Sequence, residues 1–410
     1  MRNAFVSLVL LFAAVTGRGD EPRFLIETLR VNGLRFASPE IVVAETRLRE
    51  GRIYSEQDLG EAIGRVERLP FVLYADFRLE KGTAPGRYVL AISIQETKPM
   101  FVSARSVSSW ISTRQPILDR SRSSADPVEY RSDVVDFRNE FLTVGGRFFI
   151  GAKGMVHAAA EVHRENRYTV GYTQYDVFGT RASISALVSY QDRKIGGLPG
   201  IFAAWHRADD FSYQLLTTVP ITTSQSIRAS WQRSIQPVVR TEPSIVPGSI
   251  RYTLEPVPAN RGEVVWAYDT TNDAFFPTAG TLLTAGAVQY ESSLIDDFSE
   301  LRTDKATNYA ITSERFFALS RRQALSAGLD LHRRGLDEVR AHGSYSINLW
   351  SREKTLRLGD LHFETGLDRS WLRSSVGRRA SSTASAGLVY RNAWGVVRLD
   401  FEYVGWRNHE

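Results

Sequence analysis

Arg181-Ala182-Ser183-Ile184-Ser185-Ala186-Leu187-Val188-Ser189-Tyr190-Gln191 sets apolar side chains at Ala182, Ile184, Ala186, Val188 and Tyr190. Between them stand Arg181, Ser183, Ser185, Ser189 and Gln191. A period of two puts the two sets on opposite faces of one strand. The pattern returns in Ile227, Ala229 and Trp231 against Arg228, Ser230 and Gln232, and in Leu325, Ala327, Leu329 and Leu331 against Ser326, Gly328, Asp330 and His332. It returns again near the end, in Val397, Leu399, Phe401 and Tyr403 against Arg398, Asp400 and Glu402. Strand after strand with one apolar and one charged face predicts an antiparallel all-β transmembrane barrel, with lipid outside and water inside. Closure leaves no unpaired backbone in lipid. A long soluble sandwich shows the same alternation, so a soluble secreted β-protein is the competing reading.

Connections add to the barrel reading. Residues 176–179, 222–224 and 392–395 read as tight turns, and residues 236–258 and 369–383 as long external loops. Short connections on one side and long ones on the other are a barrel habit. Residues 98–136, rich in Ser and Arg, read as a linker or an early strand, which places the barrel at residues 137–410.

Composition narrows the class. The chain has 410 residues and is 43% hydrophobic, enough for a packed structure, yet its mean hydropathy of −0.23 shows the apolar residues diluted by polar ones. A helical membrane protein would gather them into runs of about 20 residues. Only residues 1–19 approach such a run. Arg2, an apolar stretch from Ala4 to Val15, and the small Gly17 and Gly19 outline a secretory signal peptide, too short to span a bilayer. A buried N-terminal strand or helix is the other reading. The chain has no cysteine, which suits passage through an oxidising compartment and excludes thiol catalysis and cysteine-ligated zinc. Its net charge of +5 comes from scattered arginines rather than a basic cluster, so no nucleic-acid partner is expected.

Residues 24–97 have a different period. Leu25, Leu29 and Val31 give a first strand with an apolar side, and Asn32-Gly33 a turn. Ser38-Pro39 starts a helix through Ile41, Val42, Glu45 and Leu48 that Gly51 stops. Ser55 and Asp58 resemble a capping box before a second helix, whose stripe is Leu59, Ala62, Ile63, Val66 and Leu69. Pro70 ends it. Phe71, Leu73, Ala75, Phe77 and Leu79, then Tyr88, Leu90, Ile92 and Ile94, alternate as a hairpin with one buried face. The predicted order is β-α-α-β-β, a two-layer α+β domain.

These residues resemble a POTRA domain. The likeness rests on Leu29-Arg30-Val31-Asn32-Gly33, the helix end from Leu48 to Gly51, Leu69-Pro70-Phe71, and Ile92-Ser93-Ile94-Gln95-Glu96. The later part of the chain resembles the BamA/TamA-type outer-membrane superfamily. Tyr268-Asp269-Thr270-Thr271-Asn272-Asp273, followed by Phe276-Pro277-Thr278-Ala279-Gly280, is similar to that family's turn motif. The resemblance implies a barrel of nominally sixteen strands, of which the alternation places about 13 to 15. It also implies a lumen loop whose arginine meets an acid. Arg334-Gly335 would supply the first and Glu364 the second, with Leu336 in place of the usual aromatic and Glu in place of Asp.

No catalytic or metal-binding grouping is found: no His-Glu-x-x-His, no Gly-x-Ser-x-Gly and no phosphate loop. The chain is therefore expected to be no enzyme and to need no metal or cofactor. The resemblance implies an outer-membrane factor that inserts unfolded client polypeptides or passes them through the membrane without ATP, with its front domain in the periplasm. Its partners would be outer-membrane lipid, the clients and further assembly-machinery subunits. The physical route is β-augmentation, in which a client strand joins an exposed edge. Arg87, Val89, Ala91, Ser93 and Gln95 mark the candidate edge in the front domain, and the seam between first and last strands is the candidate in the barrel. A passive pore or anchor, or a two-partner secretion transporter, is the alternative.

Overall fold

The computed structural model describes residues 22–117, 128–136, 141–162, 166–195, 206–243, 250–273, 276–295, 301–320, 322–333, 337–350, 359–374 and 377–409. The signal-like residues 1–19 lie outside them.

The front domain runs β1 (Arg23–Asn32), α1 (Pro39–Thr46), β2 (Arg52–Ser55), α2 (Glu56–Glu67), β3 (Val72–Lys81) and β4 (Arg87–Glu96). The short β2 is the one element that the β-α-α-β-β expectation lacks. Ser38 caps α1, its hydroxyl accepting from the Glu40 N–H at 3.4 Å. The helix stops well before Gly51. Thr46 turns its hydroxyl onto the Val43 carbonyl and accepts the Leu48 N–H, and Arg47 takes a left-handed φ of 59°. The capping box on α2 is complete: Ser55 Oγ accepts the Asp58 N–H at 3.1 Å, and Asp58 Oδ2 accepts the Ser55 N–H at 2.9 Å.

The sheet order is β2-β1-β4-β3, with β1 and β4 parallel and β3 antiparallel to β4. A bulge between Ile26 and Thr28 shifts the inward face of β1. Ile26, Leu29 and Val31 therefore face the helices, where simple alternation puts Leu25. Ile26, Ile41, Val42, Leu48, Leu59, Val66, Leu90 and Ile92 are fully buried in one core. Each such side chain stabilises the fold by about 1.5–3 kcal/mol.

The barrel begins earlier than expected, at β5 (Met100–Ile117). Then come β6 (Val128–Asp136), β7 (Phe141–Ile150), β8 (Gly154–Val162), β9 (Arg167–Gln174), β10 (Ser183–Ile195), β11 (His206–Pro220) and β12 (Gln225–Pro243). The rest are β13 (Ile250–Asp269), β14 (Gly280–Ile295), β15 (Leu301–Ser320), β16 (Gln323–Arg333), β17 (Asp337–Trp350), β18 (Asp360–Ser374), β19 (Gly377–Asn392) and β20 (Gly395–His409). Residues 98–136 thus contain a barrel strand rather than a linker, because β5 pairs with β7 near its start and with β20 along its other edge. β6 and β7 lie end to end along the same edge of β5 and act as one strand. Among the described residues the barrel therefore closes with 15 strands, not sixteen. An odd count makes the first and last strands point the same way, and β20 meets β5 in parallel.

The predicted turns at residues 176–179, 222–224 and 392–395 all join strands. The predicted long loops largely do not. β12 and β13 stay paired to Pro243 opposite Ile250, and β18 and β19 to Ser374 opposite Gly377. Both stretches are thus largely extended strand. Outward stand Val397, Leu399, Phe401 and Tyr403, each more than 40% exposed. Inward, hydroxyls pair across strands: Thr173 with Ser185, Ser189 with Ser212, Thr284 with Thr312, Ser326 with Ser344, and Ser370 with Ser381. Among the described residues no helix is long and apolar enough to cross a membrane.

Candidate functional site

The front domain sits in the barrel mouth. Its core continues into the barrel: Met155 and Tyr175 are buried against it, and Phe149 packs edge-to-face on Phe71 with centroids 5.0 Å apart. Polar contacts ring this joint. Arg47 donates to the carbonyls of Thr222 (3.3 Å) and Gln225 (3.0 Å) in the turn before β12. Arg68 pairs with Asp269 at 2.5 Å and donates to the Thr271 hydroxyl at 2.7 Å. From the barrel side, Arg181 donates to the Leu48 carbonyl and Arg391 to the Val72 carbonyl. The seated surface is thus the end of α1, the side of α2 and the Leu69-Pro70-Phe71 junction.

Burial there reverses what a lone amphipathic helix would show. Glu61, Gly64, Arg65 and Glu67 lie off the apolar stripe of α2, yet all are buried. At Gly64 the barrel turn comes so close that a Cβ would lie 3.0 Å from the Thr271 carbonyl oxygen. Loss of water moves the charges. Burial pushes the Glu45 carboxyl above the usual glutamate range, with Arg47, Arg65 and Arg68 pulling it back. Burial, with Arg47 beside it, lowers the Arg65 guanidinium to about 10. Burial and the nearby Glu45 raise the Tyr175 phenol.

The turn motif from Tyr268 to Gly280 has a physical reading. Asp269 accepts from the N–H and hydroxyl of Thr271 while holding Arg68. Asn272 Oδ1 accepts the N–H groups of Thr278 and Ala279, both at 3.0 Å, and Asp273 accepts that of Phe276. Gly280 has φ +111°, and a Cβ there would lie 2.3 Å from the Thr270 carbonyl oxygen. Tyr268 is the register partner of Gln225 and Leu283, and Pro277 precedes the returning strand. The turn leans into the mouth. With Arg322, Ser346, Asn348, Asp360 and His362, its residues Asn272, Asp273, Phe276 and Thr278 line a polar cavity of about 240 Å³. Among the described residues no cluster of three or more His, Cys, Asp or Glu could hold a metal.

One expected site changes. β4 is not an edge: Arg87 through Ser93 pair with β1, and Val89, Ala91, Ser93 and Gln95 also pair with β3. The parallel insertion of β4 between β1 and β3 occupies both of its sides. The unpaired edges belong to the four-residue β2 and the ten-residue β3. Arg334 and Gly335 lie outside the described residues, and so does their expected contact with Glu364. β16 and β17 are paired up to Arg333 opposite Asp337, and Asp337 in turn faces Arg373 on β18. Glu364 sits on β18 opposite Ser346. Its observed partner is Arg398, at 3.4 Å. No sequence signal names that partner, since it is set by strand register.

The structure is thus a closed β-barrel with polar lumen and apolar exterior, one mouth occupied by a small α/β domain. No family profile and no curated protein matches the chain. Among solved structures it is similar to CdiB from Escherichia coli (TM-score 0.50, 11% identity, 90% of this chain and 70% of that one). It also aligns with BamA from Haemophilus ducreyi lacking POTRA domains 1-3 (0.47, 12%, 94% and 82%) and with CdiB from Acinetobacter baumannii (0.43, 9%, 90% and 68%). At such identities the likeness is one of fold alone, a closed β-barrel of the kind seen in CdiB from Escherichia coli.

Proposed function

We propose that the chain is an outer-membrane factor that handles unfolded polypeptides, inserting them into the membrane or passing them across it without ATP. The front domain is then a periplasmic POTRA-type domain. The observation that carries the reading is this domain seated in the barrel mouth, bonded to the barrel around the starts of β10, β12 and β14 and at the end of β19. A passive pore gains nothing from a domain across its own entrance. A client-handling barrel gains a receptor at the point of entry, and β3 from Asp76 to Lys81 lies at the edge of the front-domain sheet, where a strand could be added. Outer-membrane lipid covers the apolar exterior in this reading, and further assembly subunits would meet the domain on its periplasmic side.

The test is a photoreactive residue at Asp76, exposed on β3, in native outer membranes, with Ala91 on the central β4 as control. Capture of several barrel precursors at Asp76 supports an insertase. A single secreted chain supports dedicated translocation. Capture of nothing at Asp76, with normal outer-membrane assembly in a deletion strain, overturns the proposal in favour of a pore or anchor.

A further inference from the structure

β20 and β5 meet in parallel over residues 397–407 and 104–114, while the other neighbouring strand pairs of the barrel are antiparallel. Parallel pairing is slightly weaker per residue, which makes this seam the least favourable junction in the wall. Register makes it worse. Arg398 and Arg105 are direct partners across the seam and both point into the lumen. Two like charges facing each other across a strand pair push it apart.

Two acids answer them. Asp400, only 7% exposed, accepts Arg398 Nε at 2.8 Å and Arg105 Nε at 3.3 Å. Arg398 also reaches over the whole width of β19 to Glu364 on β18, at 3.4 Å. Gly387 makes that reach possible. It is the register partner of both Glu364 and Asp400, and a Cβ there would lie 2.6 Å from Asp400 Oδ1.

We propose that Glu364, Arg398, Asp400 and Arg105 form a lumenal latch that holds the parallel seam shut. The latch ties β18, β20 and β5 together and converts a repelling arginine pair into a bridged one. Glu364 thereby serves closure of the wall. The inference concerns the barrel wall and stands whether or not a client is handled.

The chain lacks cysteine, so an introduced pair reports the seam directly. Val397→Cys and Ala104→Cys are register partners on the lipid side, suited to a disulfide when the seam is closed. The full chain is reconstituted in phospholipid vesicles, and disulfide formation under mild oxidant is followed beside bilayer conductance. Asp400→Asn should slow disulfide formation roughly five- to tenfold and add flickering openings, because it leaves the two arginines facing each other. Adding Arg105→Gln should restore most of the rate, a recovery that simple misfolding would not give. Glu364→Gln, more exposed, should give roughly a twofold loss. High salt should slow the parent more than the Asp400→Asn, Arg105→Gln double variant, which keeps only the Arg398–Glu364 pair. Equal disulfide rates in parent, Asp400→Asn and Glu364→Gln, with the heat-modifiable folded band present in each, overturn the latch. If Asp400→Asn yields no folded band, the Glu364→Gln rate and the salt response decide alone.

Discussion

Gly64 gives the sharpest handle on how the front domain is held. It lies inside α2, where glycine costs about 1 kcal/mol against alanine. Leucine would therefore improve the helix by roughly that amount, equally whether the domain is seated or released. Only the seated state has the barrel turn 3.0 Å from the new Cβ, with the Asn272 carbonyl at 3.7 Å. A leucine side chain must displace backbone there, and overpacking of this kind costs about 1–3 kcal/mol. Seating should weaken by roughly 5- to 150-fold, at about 1.4 kcal/mol per factor of ten. Thr271, 5% exposed beneath the domain, supplies the readout. In a Thr271→Cys background, Gly64→Leu should speed maleimide labelling by that factor and raise bilayer conductance. Gly64→Ala should change labelling little, since a few tenths of an ångström of give suffice. Labelling as slow in Gly64→Leu as in its parent would refute the idea that the turn packs on α2.

Three further outcomes are expected. Asp269→Asn breaks a partly exposed pair with Arg68 and should weaken seating by about 1 kcal/mol, while Arg68→Met in the same chain should add little more, as a double-mutant cycle would show. Glu96 accepts the N–H groups of Arg35, Phe36 and Ala37, so Glu96→Ala should cost the loop about 1–2 kcal/mol and speed hydrogen exchange at those amides roughly 5- to 30-fold. Glu45 has its carboxyl raised by burial, so the seated state binds more protons than the released one between the ordinary glutamate value and the raised value. Seating should then strengthen as pH falls through that window and weaken as pH rises, and Thr271→Cys labelling should lose most of this slope in Glu45→Gln.

Local chemistry explains where the sequence could be read. The alternation of Ala182 to Gln191 survives as β10, and the capping box of Ser55 and Asp58 forms as written. The β-turn signals at Asn392 and Gly395 hold because their requirements are met within a few residues. The long-loop readings failed because a Ser-, Thr- and Arg-rich stretch looks like loop composition until the partner strand is known. The edge assignment to Ala91 failed because nothing in residues 87–95 says that β1, some sixty positions earlier, lies alongside. The pairing of Glu364 with Arg398 depends on the registers of two hairpins and on the bare backbone at Gly387 between them.

By itself, then, the sequence determined that a β-barrel follows a small α/β domain, and which face of most strands and helices is apolar. Periodicity is a local property, and it records whether a face is covered. It does not record by what. The tertiary structure decided that β4 is central, that among the described residues 15 strands close through a parallel seam, that α2 buries Glu61 and Arg65 under a barrel turn, and that Glu364 meets Arg398. Each of those depends on which distant segment arrives and in what register, a choice made by the competition among all pairings at once.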